Sequence, residues 1–506
     1  MELSLERRPV AVNETVLDLN TEQAVETDFV LADYYPRISR ILHCEVESSA
    51  DQAVVSGERL LVDGTAFCRI YYQSEEGRPA SVAVKLPYSK AVELRRVPQK
   101  PQIVISSRPG YFSCRAVNAG RLEIRGAVTL HCRVTAAGET SAVTGITGGG
   151  MQCRSRELCC GKLLRMATKS FLVRGEEPLS ADVPVDASLL RAFTRIGDTS
   201  FKAVGGKLVA KADARVEMAF LTPDGSIVRD SFDLPVSEIL DADGAGEEAI
   251  CSVTFTSDWT DVRLRQAAEE ERPTAVAEVS VTAWVWAMEN STEAFVTDCF
   301  STSYETTQEL RPFALLCGEQ PIRSTLRVEQ EVALPAGGEL LDFWAEPAEL
   351  SLSPSDGALR VAGRLRVAGL TQADGGETEY FEELCDFGEE LPVDGLPAQL
   401  LPACRVTWEE SRPQDGRLPV RAAVALDLPY AIGQTVQLVT DAAIQEDKPL
   451  TPRGAGCLTL YFPVDGEEVW EIAKRYGTSP AAIQAENGLG DDGAVGTGML
   501  LIPAVR

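Results

Sequence analysis

The sequence predicts a mainly β protein: three tandem antiparallel β-sandwich-like domains followed by a small βααβ domain. Three observations lead there. Apolar and polar residues alternate strictly over long stretches, the period-two signature of a strand with one face buried. These stretches recur with matching glycine turns at an interval of about 150 residues, which is domain-sized and too long for a solenoid unit. Over roughly the last fifty residues the period becomes helical.

The first strand to be justified is Leu122, Ile124, Gly126, Val128, Leu130, Cys132 and Val134, opposed by Glu123, Arg125, Ala127, Thr129, His131 and Arg133. A helix would scramble these two faces. The pattern returns at Leu208, Ala210, Ala212, Ala214, Val216, Met218 and Phe220, at Ala275 to Val285, at Leu359 to Val367, and at Leu418 to Leu426. Gly57, Gly205-Gly206 and Gly357 each introduce a strand that runs to a polar glycine turn, at Glu75-Glu76-Gly77, Pro223-Asp224-Gly225 and Ala373-Asp374-Gly375. Leu86-Pro87-Tyr88 and Leu234-Pro235-Val236 follow the first two turns, while the third copy has only Phe387 in that neighbourhood. These repeats divide the chain into 1–145, 146–310, a divergent copy at 311–450, and a last domain at 456–506, with joints near Thr144–Gly150, Glu309–Pro312 and Glu446–Gly456. A length of 506 residues suits that division, at roughly 100–200 residues per domain.

In the last domain Leu458 to Phe462 reads as a strand. Val469, Ile472, Ala473 and Tyr476 then lie at helical spacing, and Gly477 ends that helix. Pro480 opens a second helix, Asn487-Gly488 ends it, and Met499 to Ile502 closes with a strand. With Tyr461, Gly466, Trp470, Leu489, Gly498 and Pro503 at matching places, this unit resembles a LysM domain. Upstream, Ala32-Asp33-Tyr34-Tyr35-Pro36-Arg37-Ile38-Ser39-Arg40-Ile41-Leu42, the Gly57 strand, Ile70-Tyr71-Tyr72, the Gly77 turn and Leu86-Pro87-Tyr88 look like a SPOCS domain. Several SPOCS copies before one LysM is similar to the SipL-like spore-coat morphogenetic proteins.

That resemblance implies a non-enzymatic scaffold, made in the mother-cell cytoplasm, that attaches coat layers at the forespore surface. Its LysM would bind a SpoIVA-like coat ATPase, and its SPOCS domains would supply other coat contacts or self-association. The alternative is a tether to peptidoglycan or another GlcNAc-containing, chitin-type glycan. In glycan-binding LysM domains the loops after the first strand and after the second helix form the groove, here Gly466, Glu467, Glu468 and Val469 with Asn487, Gly488 and Leu489. The usual Asp-Thr of the first loop is replaced by Glu467-Glu468, which removes a good helix N-cap and adds a carboxylate. Two carboxylates facing a neutral sugar would lose hydration without return, whereas a protein partner can meet them with lysine or arginine. Protein binding is therefore the expectation.

Composition excludes other classes. The formal charge is 48 − 76 = −28, and no basic stripe exceeds Arg95-Arg96 or Arg154-Ser155-Arg156, so nucleic acid is not an expected partner. Glu2, Glu6, Arg7 and Arg8 interrupt any export signal, and no stretch has the run of apolar residues a membrane span needs. The thirteen cysteines are scattered without a CxxC pair, so buried thiols in a reducing compartment are expected. His43 and His131 are the only histidines, and HExxH, GxSxG and GxxxxGK[ST] are all absent, so no catalytic residue is nominated. Cys153, Cys159 and Cys160 lack zinc-ligand spacing, and Asp241, Asp243 and Glu247 lack the rest of a calcium loop, so neither a metal nor a cofactor is assigned. Gly488-x-Gly490-x-x-Gly493 and Gly244-x-Gly246-x-x-Ala249 fit a dinucleotide fingerprint in letters only, since neither leads from a strand into a helix. Trp284 and Trp286, on the face of their strand opposite its small residues, read equally as an interface anchor or as core.

Overall fold

The computed structural model describes residues 3–503 except 266–271, 336–337, 356, 374–375, 410, 451–458, 465, 491–494 and 496–497. Antiparallel strands dominate it. The first unit comprises β1 (Ser4–Val30), β2 (Ile38–Ser56), β3 (Arg59–Ser74), β4 (Pro79–Glu93), β5 (Pro101–Asn118) and β6 (Arg121–Thr147). These form two sheets, β1-β6-β5 and β2-β3-β4. The alternating residues of β6 and β3, among them Leu122, Ile124, Leu130, Leu60, Val62 and Ile70, meet in one core between the sheets. Positive φ at Gly57 (61°), Gly206 (76°) and Gly357 (78°) turns the chain into the central strand of each copy, a conformation that side chains with a Cβ resist.

The second unit repeats the plan with β7 (Met151–Pro178), β8 (Ser188–Ile196), β9 (Ser200–Val204), β10 (Lys207–Leu221), β11 (Ile227–Asp241), β12 (Ile250–Arg265) and β13 (Thr274–Ser301). Sheets β12-β13-β7 and β11-β10-β8, the latter with β9 on β10, share a core of Leu208, Val216, Phe220, Ala275, Val279 and Val281. The even positions of Leu208–Phe220 are buried as the alternation requires, but Ala219 on the other face is buried too, along a cleft it shares with Asp342, Phe343 and Trp408 of the third unit. Trp286 is likewise fully buried, against Val104 of the first unit and Ala431 further on, so this residue is an anchor between units of one chain.

The third unit follows the same path in shorter strands: β14 (Tyr304–Gly318), β15 (Ile322–Ala333), β16 (Gly338–Ser355), β17 (Ala358–Ala373), β18 (Thr378–Pro392), β19 (Pro397–Leu400), β20 (Ala403–Trp408), β21 (Arg417–Leu428) and β22 (Tyr430–Pro449). Where the earlier units have one long sheet this one has two, β14-β22-β19 and β15-β21-β20, beside β16-β17-β18. Pro321, Pro402 and Pro429 stand at the three breaks, and none has an N–H to carry the ladder onward. The joint expected at Glu309–Pro312 lies inside β14, paired to Asp441–Gln437, and the chain turns between units at 302–303 instead. Asp374 and Gly375 of the third hairpin turn lie outside the described residues.

Beyond the sandwiches, the first and last strands of each unit run on as a two-stranded ribbon: β1 with β6, β7 with β13, and β14 with β22. The three ribbons converge on a common core of Val10, Ala142, Leu158, Phe295, Phe313, Leu315, Val436 and Leu438. A disulfide between Cys159 of β7 and Cys317 of β14 ties two of them together. This corrects the expectation that these cysteines are thiols, and a separation of 158 residues hides the pairing from any spacing rule. Ten other described cysteines are free, and Cys457 lies outside the described residues.

The C-terminal module is β23 (Thr459–Tyr461), α1 (Val469–Tyr476), α2 (Pro480–Asn487) and β24 (Leu500–Ile502), the two strands pairing antiparallel. Gly477 ends α1 in the left-handed region, and the Ser479 hydroxyl caps α2 by accepting from the Ala482 N–H.

A bulge between Ser257 and Trp259 in β12 sets Asp258 against Ser280 and Thr282, whose hydroxyls donate to it at 2.9 and 2.8 Å. Desolvation, with a smaller contribution from Asp51, pushes this carboxyl up to about 7 against the pull of the two hydroxyls. The folded protein therefore holds the proton more tightly than the unfolded chain. The stability this confers is present in acid and is lost as pH rises from about 3.8 through about 7. Asp258→Asn should raise the melting temperature near pH 8 and flatten its decline between about pH 5 and 8; an unchanged profile in thermal denaturation would contradict the assignment.

Candidate functional site

Two places concentrate unusual side chains: the C-terminal module and the junction where the inner sheets of the three units meet. In the module, the sequence-nominated groove residues are mostly engaged within the chain. Glu467 accepts from the Tyr461 hydroxyl at 2.7 Å and the Val464 N–H at 3.2 Å, and pairs with Arg475 at 2.7 Å. These bonds hold its carboxyl below the usual range. Glu468 stands at the N-cap of α1 without a side-chain capping bond and pairs with Arg154 of β7 at 2.7 Å. The expectation that both carboxylates await a partner's cation is thus corrected, since arginines of this chain already meet them. Val469 is core and Leu489 packs against that core. The Asn487 amide donates to the Ile483 and Leu501 carbonyls and its oxygen accepts from the Leu501 N–H, latching α2 to β24. Only Gly466 (φ +83°) and Gly488 (φ +63°) are left as exposed loop backbone.

The module is seated on the second unit. The Trp470 indole N–H donates to Asp298 at 2.7 Å, Lys474 binds the same carboxylate at 2.7 and 2.8 Å, and the Trp470 ring meets Phe300 edge-on at 5.0 Å. Burial alone would raise Asp298, but bonds from Lys474, Trp470 and Gln308 outweigh it and hold the carboxyl below its usual range. Trp470 therefore docks the module onto its neighbour as well as packing α1.

The ribbon β23-β24 turns Tyr461, Leu500 and Ile502 toward the helices. Its other face carries Leu460 (53% exposed), and Phe462 (67%), Val464 (71%) and Met499 (51%) are exposed in the adjoining segments. Isolated exposed apolar residues are ordinary, and here four of them fall within one small module.

The residues considered for other chemistry lie apart. His43 stacks on Tyr380 at 3.8 Å, and burial holds its ring below the usual histidine value. His131 pairs with Asp18 at 2.7 Å. Cys153 faces Cys299 in the β7–β13 ladder, Asp241 pairs with Lys207, and the Gly493 end of the glycine motif lies outside the described residues. Among the described residues no group of three His, Cys, Asp or Glu side chains is placed to hold a metal ion, and no helix is long and apolar enough to cross a membrane.

The second place was missed at the sequence level. Arg69 of β3 donates to the Ala192 and Thr260 carbonyls, each at 2.9 Å, and lies 3.7 Å from Glu45, which also accepts from the Tyr71 hydroxyl at 2.8 Å. Arg229 of β11 pairs with buried Asp342 of β16 at 2.7 Å. Between them Arg191 of β8, 5% exposed, sits over the rings of Phe193 (4.3 Å) and Trp344 (4.5 Å). Arg195 sits over Trp408 at 4.3 Å. Arg191 lines two clefts, of about 410 and 150 Å³. The alternation Arg191-x-Phe193-x-Arg195 on one strand face was the available signal, because a solvated face has no use for an aromatic between two arginines.

No protein-family model matches the chain, and no curated protein matches it.

Asp298→Ala removes the acceptor shared by Trp470 and Lys474. Charge-assisted bonds of this kind contribute roughly 1.5–3 kcal/mol, so amide exchange in α1 should accelerate about tenfold or more while β10 keeps its protection. Equal protection of α1 in mutant and wild type, followed by mass spectrometry, would show that the module is held by other means.

Proposed function

We propose that the chain is a non-enzymatic scaffold of spore-coat assembly. Its C-terminal module, read as a LysM domain, binds a SpoIVA-like coat ATPase, and its three β units, read as SPOCS domains, make further coat or self contacts at the forespore surface. The observation that supports this reading is the exposed apolar set on the module: Leu460, Phe462, Val464 and Met499 offer a protein partner the kind of surface that anchors an interface core. The polar groups of the nominated sugar groove argue the same way, since Glu467, Glu468 and Asn487 are already bonded within the chain. The charge of −28 suits a partner with basic patches around that apolar centre, with association that weakens as salt rises.

The test is titration of a purified SpoIVA-like ATPase into the full chain. Phe462→Asp with Val464→Asp should weaken binding about tenfold or more without changing the melting temperature, because both side chains are exposed. Undiminished binding by the double variant, or micromolar binding of chitin oligomers by the wild type, would overturn the proposal.

A further inference from the structure

We infer that the larger cleft, lined by the second and third units, is a binding site for a small organic carboxylate, with Arg191 as its anchor. The inference is independent of the module and of its partner. Three of the four acidic groups lining the cleft have partners: Asp342 has Arg229, Glu217 has Arg195 at 3.2 Å, and Asp230 accepts from the Ser180 and Ser231 N–H groups, while Asp182 is exposed to solvent. Arg191 differs. Glu45, Asp342 and Glu47 act on its charge at longer range, but among the described residues it has no hydrogen bond and no ion pair within 4 Å, and its buried Nε is without an acceptor. Ring contacts satisfy the face of a guanidinium and leave its N–H edge free. A buried donor left in that state costs free energy that a ligand acceptor would recover.

The ligand class follows from the walls. A guanidinium edge matches the two oxygens of a carboxylate in a bidentate pair. Phe193, Phe343, Trp408 and Met218 line the same cleft, so the carboxylate should carry an apolar body. A phosphate dianion is disfavoured, because Asp182, Glu217, Asp230 and Asp342 also line the cleft and would repel a second negative charge. The volume of about 410 Å³ accommodates an aryl or short acyl acid.

The experiment is calorimetric titration of benzoate, acetate and inorganic phosphate into the full-length protein. Saturable one-to-one binding of benzoate, tighter than that of acetate or phosphate, is expected. Arg191→Lys keeps the charge but loses the planar fork and should weaken benzoate at least about tenfold. Ser231→Trp puts an indole into the cleft from β11, a different strand from the one that carries Arg191, and should abolish binding while the melting temperature stays within a few degrees of wild type. This second variant decides the matter if the first folds poorly. Absence of saturable benzoate binding by the wild type, phosphate binding more tightly than benzoate, or full binding by Ser231→Trp would each overturn the assignment.

Discussion

A two-stranded ribbon cannot bury its own apolar side, and the rest of this molecule depends on that constraint. Each unit extends its first and last strands well past its sandwich, and the extensions carry Val10, Ala142, Leu158, Phe295, Phe313 and Leu438 in positions no sheet of the same unit covers. Three ribbons solve the problem for one another, with a second shared patch of Val143, Ile146, Val296 and Val439 beside the first. Once the ribbons meet, the inner sheets are brought face to face, and residues such as Tyr71, Trp344 and Leu370 become core. The Cys159–Cys317 bond reinforces the meeting of the second and third ribbons.

The inner junction uses a different chemistry. Tyr71, Leu190 and Ala368 supply apolar contact there, but Glu45, Arg69, Arg191 and Asp342 bring charges out of water. Burying ion pairs is weak evidence for stability, since desolvation offsets much of the attraction. What such groups supply here is geometry. Arg69 reaches carbonyls on two strands of the second unit, and Arg229 must find Asp342 on the third, so a rotation of one unit would strand a buried charge. An apolar junction would have no comparable preference for one angle.

Strand existence was legible because a half-buried strand needs only local alternation: Leu122–Val134 and Leu208–Phe220 bury the sides their letters indicate. What covers the opposite side is not local information. Trp286 is buried by neighbouring units, and no period in its own strand distinguishes that from solvent. The breaks of the third unit could have been read from Pro321, Pro402 and Pro429, whereas the disulfide could not, because nothing around Cys159 points to Cys317. At the module, Gly466 and Gly488 lie in loops as the sequence indicates while Val469 and Asn487 belong to α1 and α2, and the role of Glu468 depends on Arg154, in the first strand of the second unit. Charge pairing across such distances is a property of packing and leaves no motif.

The internal pairing of Glu467 and Glu468 also explains why the module can present an apolar face. Carboxylates free on the surface beside Phe462 and Val464 would ring that face with negative charge and keep its water in place. Drawn into pairs with Arg475 and Arg154, they are neutralised, and the same carboxylates hold Val464 and the module's seat on β7. Because Asp298 anchors α1 from the other side, the apolar face is carried on a supported element rather than a loose tether. A partner binding there loses less conformational freedom than it would against an untethered domain, and this is how the packing of the three ribbons reaches the surface that the module offers.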